Sequence, residues 1–366
     1  MNTCDTKSIQ TRLDLLVAGF APVLYADDDP DFMAGKIASH HDGTERERFR
    51  YWEWPHGIGL FGLWKLFEKD RNPRYLDMLT TYYDQRIAQG LPDKNVNTMA
   101  PILALSYLAE HTGRADYMDI CREWTGWVME GGLDRTEEGG FQHSTSDDIN
   151  EGELWDDTLM MTVLAVANVG RITGKDSYVQ EAIYQFLLHA EYLADIRTGL
   201  WYHGFTFKGK HHFSEAFWGR GNCWATIAIP EFIRMVELPG SIRRYLVAVL
   251  ERQVNALHQR QDAGGMWHTL LDDPSSYLET SATCGFGYGI LKSIHSGLLN
   301  SSYKDMALKA LPAILSHIDE NGIVRQVSYG TPMGRHDKDF YKNIPIRPMP
   351  YGQALAMLFL MEAMVD

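Results

Sequence analysis

The sequence predicts an all-α protein in which six helical hairpins close into a ring, and three observations carry that reading. Five times a helix-like run ends in a polar or glycine-containing turn, and a tyrosine opens the next amphipathic run: FEKDRNPRY ending at Tyr75, AEHTGRADY at Tyr117, GRITGKDSY at Tyr178, VELPGSIRRY at Tyr245 and HSGLLNSSY at Tyr303. The unequal spacing suits stacked hairpins with variable loops better than an open solenoid of identical units. Apolar residues at helical spacing mark helices near 8–21, 54–69, 74–88, 97–111, 115–130, 156–172, 176–193, 219–236, 241–257, 278–297, 302–318 and 349–364. The strand-like pieces at 139–143, 199–207 and 265–271 are short, aromatic and set between hairpins, so they read as loop ribbons and not as a sheet. In such a ring one helix of each pair faces the axis, and the loops at one end wall a pocket.

The first apolar segment, LDLLVAGFAPVLYA at 13–26, lacks a strongly basic start and carries Arg12 and Asp14 at its front edge, so it reads as the first helix and not as a signal peptide. Pro73 sits near the start of the third helix, and Gly113, Gly174 and Gly240 are expected just past helix ends, where a left-handed cap is cheap for glycine. No Pro/Ser-rich linker or charge block divides the 366 residues, which implies a single domain over 1–366. No apolar run reaches the roughly 18–20 residues of a membrane span. A net charge of −14 argues against nucleic acid or an anionic membrane as partner. Cys4, Cys121, Cys223 and Cys284 are scattered without a CxxC pair, so neither a zinc pattern nor a disulfide framework is present, and a reducing, cytoplasmic setting is expected.

The starts of the inner helices carry a repeated kind of residue: Trp52, Trp54 and His56; Asn95 and Asn97; Trp155, Asp156 and Asp157; Trp218, Arg220 and Trp224; Tyr277, Glu279 and Thr280. Aromatic faces beside a few polar groups suit a sugar ring, and an arginine adds a preference for a sugar acid. Taken singly, each has a plainer role: a tryptophan is more often core, a loop histidine such as His143 or His203 equally often makes a structural hydrogen bond, and Arg220 equally often pairs with an acidic neighbour. Consecutive helical residues diverge by about 100°, so Asp156 and Asp157 are not expected to share one task. One of them is expected to cap the helix, leaving the other to face the pocket. The glycines flanking Arg220 in WGRGNCW, 218–224, do not form a phosphate loop, and the dinucleotide fingerprint is missing, so no cofactor is expected.

Four stretches, WDDTLMM (155–161), LLHAEYLADIRTGLWYHGF (187–205), WGRGNCWA (218–225) and DDPSSYLETSAT (272–283), resemble glycoside hydrolase family 105, the unsaturated rhamnogalacturonyl hydrolases. The unsaturated glucuronyl hydrolases of family 88 are more distantly similar. The resemblance runs from about Trp52 to the C-terminus and implies an (α/α)6 barrel, in agreement with the twelve helices. It implies that Asp157, the aspartate of the W-x-D-T-L motif, is the general acid and base, with Asp156 as the cap. It assigns Trp54, His143, His203, Trp218, Arg220 and Trp224 to the sugar site. Where the family has a second, assisting aspartate, KNVNTMAP places Asn95, or Asn97 if the gap is set differently. Asparagine cannot accept a proton, so a mechanism with two carboxylates is in doubt at that position.

The chemistry implied by this resemblance is hydration of the vinyl ether in a 4,5-unsaturated uronic acid at the end of an oligosaccharide, typically a disaccharide left by a lyase. Asp157 would protonate C4 and then take a proton from the water that adds at C5. No metal is required. The carboxyl must be protonated part of the time, which burial beside Trp155, Trp218 and Trp224 could provide. Rival readings are an inverting glycosidase pairing Asp157 with Glu279 or Glu53, a sugar epimerase or lyase on the same barrel, and a non-catalytic helical scaffold.

Overall fold

The computed structural model describes residues 6–24 and 51–365. Its helices are α1 (Thr6–Leu24), α2 (Trp54–Asp70), α3 (Pro73–Gln89), α4 (Ala100–Thr112), α5 (Ala115–Met129), α6 (Leu164–Thr173), α7 (Asp176–Leu193), α8 (Gly219–Met235), α9 (Gly240–Arg260), α10 (Thr280–His295), α11 (Lys304–Lys309), α12 (Leu311–Ser316), α13 (Asp339–Lys342) and α14 (Pro350–Ala363). A π-helical turn, Leu159–Val163, leads into α6.

Six of these form the inner ring. Helices α2, α4, α6, α8, α10 and α14 pack in that order, and α14 returns to α2. The outer layer is α3, α5, α7, α9 and the α11–α12 pair, and α1 packs on α14 to supply the last outer partner. The two layers differ in sequence for a physical reason. An outer helix needs one apolar stripe, as α3 has with buried Tyr75, Leu79, Tyr82, Tyr83 and Arg86, whereas an inner helix is covered all round, as α14 is from Tyr351 to Glu362. The inner helices also approach closely: a Cβ on Gly289 would lie 2.8 Å from the Thr226 carbonyl carbon.

The helical segments expected from periodicity match this arrangement. The expected 302–318 helix is broken at Ala310, ahead of Pro312 in the first turn of α12. Gly113 and Gly174 are left-handed C-caps at φ 68°. Gly240 is not: α8 ends at Met235 with Val236 as its cap, and Gly240 is the first residue of α9. Of the first apolar segment, residues 13–24 belong to α1, while Tyr25 and Ala26, like Cys4, lie outside the described residues. Among the described residues no helix is long and apolar enough to cross a membrane.

One ribbon matters for the site. Strands β1 (Glu153–Trp155) and β2 (Gly204–Thr206) pair antiparallel, with Trp155 opposite Gly204. The Asp156 amide continues this ladder by donating to the His203 carbonyl at 3.0 Å. The ribbon thus brings the residues before α6 against the residues before β2.

Candidate active site

A cavity of about 400 Å³ opens at the end of the ring where α2, α4, α6 and α8 begin. Its wall includes Trp54, Asn97, His143, Trp155, Asp157 and Trp218 from these starts and their loops. The segment 329–333, with Arg335, closes the other side, and Asp147, Asp148 and Asn150 stand on the wall with them.

Asp157 is 15% exposed, and its Oδ2 lies 3.3 Å from Nε2 of His203. Nδ1 of His203 is 2.6 Å from the Tyr341 hydroxyl, which also accepts from the Gly334 amide at 3.0 Å. With the tyrosine hydroxyl donating to Nδ1, the histidine keeps its proton on Nε2, facing the carboxylate. His143 stacks on Trp155 with centroids 4.2 Å apart, and its Nδ1 is 2.7 Å from the Thr158 hydroxyl. Burial pushes His143 down to about 3, against the attraction of Asp157, and pushes His189 behind it down to about 4. Both are therefore neutral near neutral pH.

The neighbouring carboxyls are held far apart in pKa. Burial works to raise Asp157, but the close approach of the His203 imidazole, with His143 and Asp156 contributing, holds it down at about 2. Asp156 is pushed well above the ordinary aspartate value, first by burial and then by the charge of Asp157. The expected helix cap is not made. Asp156 is 0% exposed and neither oxygen forms a well-made hydrogen bond, although the nearby amides of residues 156 and 157 partly offset its burial. Residue 156 is still in the turn that leaves β1, so the helical divergence of consecutive side chains does not apply. Asp156, Asp157 and His203 bring one side-chain atom each within 4.8 Å of one another.

Four of the expected site residues, Trp54, His143, Asp157 and Trp218, line the cavity, and four stand behind it. His203 touches Asp157 from the rear. Trp224 is buried edge-on to Trp54, 6.2 Å between centroids. Asn95 turns its side-chain oxygen to the amides of Asn97 at 2.8 Å and Thr98 at 3.0 Å, so Asn97 takes the place on the wall. Arg220, 1% exposed, lies 4.7 Å from the rings of both Trp218 and Tyr351. It donates to the carbonyls of Ser328 at 2.8 Å and Tyr329 at 2.9 Å, to the Ser328 hydroxyl and to the Thr331 hydroxyl at 3.0 Å. It thus props the 328–331 wall and does not itself reach the cavity. The guanidinium on the wall belongs to Arg335, held by Glu153 and by Asn150 at 2.8 Å.

The two carboxylates considered as partners in an inverting pair are engaged elsewhere. Glu279 caps α10 through the Ala282 amide and accepts from Ser281 and the Ser328 amide. Glu53 is buried and bonded by Ser146. Neither lines the cavity. Sequence reasoning missed Tyr341 and Arg335. The only local signal for Arg335 is the glycine-containing stretch 329–336, which has no helical period, and Tyr341 lies beyond it in a short helix.

The chain is similar to several known proteins. The family model Glycosyl Hydrolase Family 88 matches residues 31–365. The chain is 32% identical over 335 residues to the unsaturated rhamnogalacturonyl hydrolase YesR of Bacillus subtilis, covering 90% of this chain and 95% of that protein. Among solved structures, a possible GH105 family member from Salmonella enterica serovar Paratyphi A is 42% identical with a TM-score of 0.90, covering 99% of this chain and 94% of that one. A possible GH105 member from Klebsiella pneumoniae is 48% identical with a TM-score of 0.83, covering 85% and 82%.

Proposed function

The chain belongs to glycosyl hydrolase family 88, and from that premise we propose that it releases a 4,5-unsaturated uronic acid from the end of lyase-generated oligosaccharides, with Asp157 as the reacting acid and base. The observation that carries the assignment is a single carboxyl that is both on the cavity wall and held from behind by a histidine. The double bond of the substrate is polarised by its ring oxygen. A proton delivered from Asp157 to C4 leaves positive charge on C5, and the carboxylate then formed stabilises that charge and takes a proton from the adding water. The resulting hemiketal opens and frees the neighbouring sugar.

Trp54 and Trp218 put apolar surface on the wall that the sugar would meet, and His143, stacked on Trp155, offers a neutral imidazole to its hydroxyls. Arg335, paired with Glu153, presents a guanidinium on the wall for the substrate carboxylate, and Arg220 holds the neighbouring 328–331 segment from behind. Given the similarity to YesR, the substrate class is an unsaturated rhamnogalacturonyl disaccharide. The whole chain acts as one catalytic domain. The buried free thiols of Cys121, Cys223 and Cys284 fit the reducing conditions of the cytoplasm.

The test is Asp157→Asn, followed by the loss of ultraviolet absorbance of the conjugated vinyl ether in a panel of unsaturated disaccharides. Turnover falls by at least ~100-fold with the fold intact. A variant that keeps most of its turnover removes Asp157 from the mechanism.

A further inference from the structure

Asp157 has the position of an acid without holding the proton, because His203 favours its ionised form. The first step of the proposed reaction needs a proton at that carboxyl. Two carboxyls held close together in a buried site keep one proton between them, since the second ionisation would place like charges side by side. Asp156 is placed to be the second member of such a pair. It is fully buried, it has no well-formed hydrogen bond from a described residue, and its carboxyl comes within 4.8 Å of Asp157. Gly221, in the first turn of α8, leaves the hollow it occupies: a Cβ there would lie 2.8 Å from Oδ1 and 2.9 Å from Cγ of Asp156, with Oδ2 closer still.

We propose that Asp156 is the proton-holding partner of Asp157, so that two adjacent carboxyls, and not a second acid on another inner helix, complete the site. The inference rests on the hydrolase reading above. It accounts for asparagines at 95 and 97, which leave the start of α4 without an acid.

The proton balance closes. At rest the pair holds one proton, on Asp156, donated toward the Asp157 carboxylate. It crosses to Asp157 and then to C4, where the π electrons of C4=C5 form the new C–H bond. Water oxygen bonds to C5, and the proton it sheds returns to the pair, which ends as it began. Asp156 does not touch the cavity, so it is a positioning residue that acts through Asp157.

The groups facing the pair are His203 before β2, His143 on the 139–145 loop with His189 of α7 behind it, Tyr341 of α13 and Cys223 of α8. Burial keeps the two histidines on the 143 side, the phenol and the thiol neutral. Arg220 and Glu279 lie beyond Cys223.

The experiment compares kcat and KM of wild type, Asp156→Asn and Asp157→Asn on an unsaturated disaccharide across pH. Asp156→Asn keeps KM but loses about tenfold or more of kcat at neutral pH, and its activity limb moves to lower pH, where Asp157 alone becomes protonated. A purely structural role would lower kcat alike at every pH. Infrared spectroscopy of the unaltered protein, which needs no variant to fold, shows a protonated carboxyl at neutral pH. The inference is overturned if that band is absent, or if Asp156→Asn keeps the wild-type kcat and pH profile. Loss of turnover in Asp157→Asn alongside a wild-type-like Asp156→Asn overturns only this inference, whereas an active Asp157→Asn overturns the reading on which it rests.

Discussion

Replacing Gly221 with alanine separates helix propensity from the fit of the acid pair. Gly221 has no left-handed φ, so alanine suits its backbone and gains up to about 1 kcal/mol of helix propensity. The new methyl would stand 2.8 Å from Oδ1 and 2.9 Å from Cγ of Asp156, where an ordinary contact needs about 3.5 Å or more. The carboxyl must retreat, and the Asp156 backbone resists because its amide is bonded to the His203 carbonyl at 3.0 Å. Overpacking of this kind costs about 1–3 kcal/mol, so the net loss of stability is about 0–2 kcal/mol. The functional effect is larger: displacing a group that must meet Asp157 by even about 1 Å can lower kcat by up to 100-fold. Gly126→Ala in α5 is the control, because its Cβ meets nothing closer than 3.8 Å and the variant should gain most of the propensity term. The assay pairs urea unfolding with initial rates from the vinyl-ether absorbance. If Gly221→Ala is stabilised as much as Gly126→Ala and turns over at the wild-type rate, the packing argument and the importance of Asp156 both fail.

Two further outcomes follow from the same site. His143 and His189 have native pKa values of about 3 and about 4, below the ordinary value of about 6.5. As pH falls through that interval the unfolded chain takes up protons that the native state refuses, so each histidine costs up to about 1.4 kcal/mol of stability per pH unit. Asp156 works in the opposite sense, because the native state keeps a proton that the unfolded chain releases as pH rises. Over that interval Asp156 offsets part of the loss that His143, His189 and His212, also lowered by burial, bring as pH falls, so Asp156→Asn makes the fall of stability toward acid steeper. Urea unfolding at two pH values measures this, and a flat profile refutes it. Arg220→Lys keeps the charge but loses the fork that reaches Ser328, Tyr329 and Thr331 together. It should cost about 1–3 kcal/mol, speed hydrogen exchange across 328–333 and raise KM more than it lowers kcat, and unchanged exchange there would show that the arginine does not hold the wall.

The helices were legible because covering a helix on one side or on all sides leaves a strong mark on composition, and both marks recur in alternation along this chain. The exceptions are local. Pro312 splits one outer helix, and Gly240 opens a helix where it was expected to follow one. Site positions were legible at the starts of the inner helices, since a ring places all of them at its ends. Depth was not. Trp54 and Trp218 stand on the wall while Trp224 packs behind, and nothing in a run such as WGRGNCW tells which side of a helix start the cavity lies on.

Local sequence alone determined the alternation of helices that closes into a ring and the pair of aspartates at the head of its third inner helix, with Asp157 singled out by the family resemblance, because periodicity and residue type are properties of neighbours along the chain. Tertiary structure alone decided which groups surround that residue. Antiparallel pairing of 153–155 with 204–206 sets His203 against Asp157, and Tyr341 orients the histidine from 138 residues away. The turn out of β1 lets Asp156 converge on its neighbour, where a helix would have driven them apart. Proton position depends on burial and on charges gathered from distant segments, and those exist only once the ring has closed.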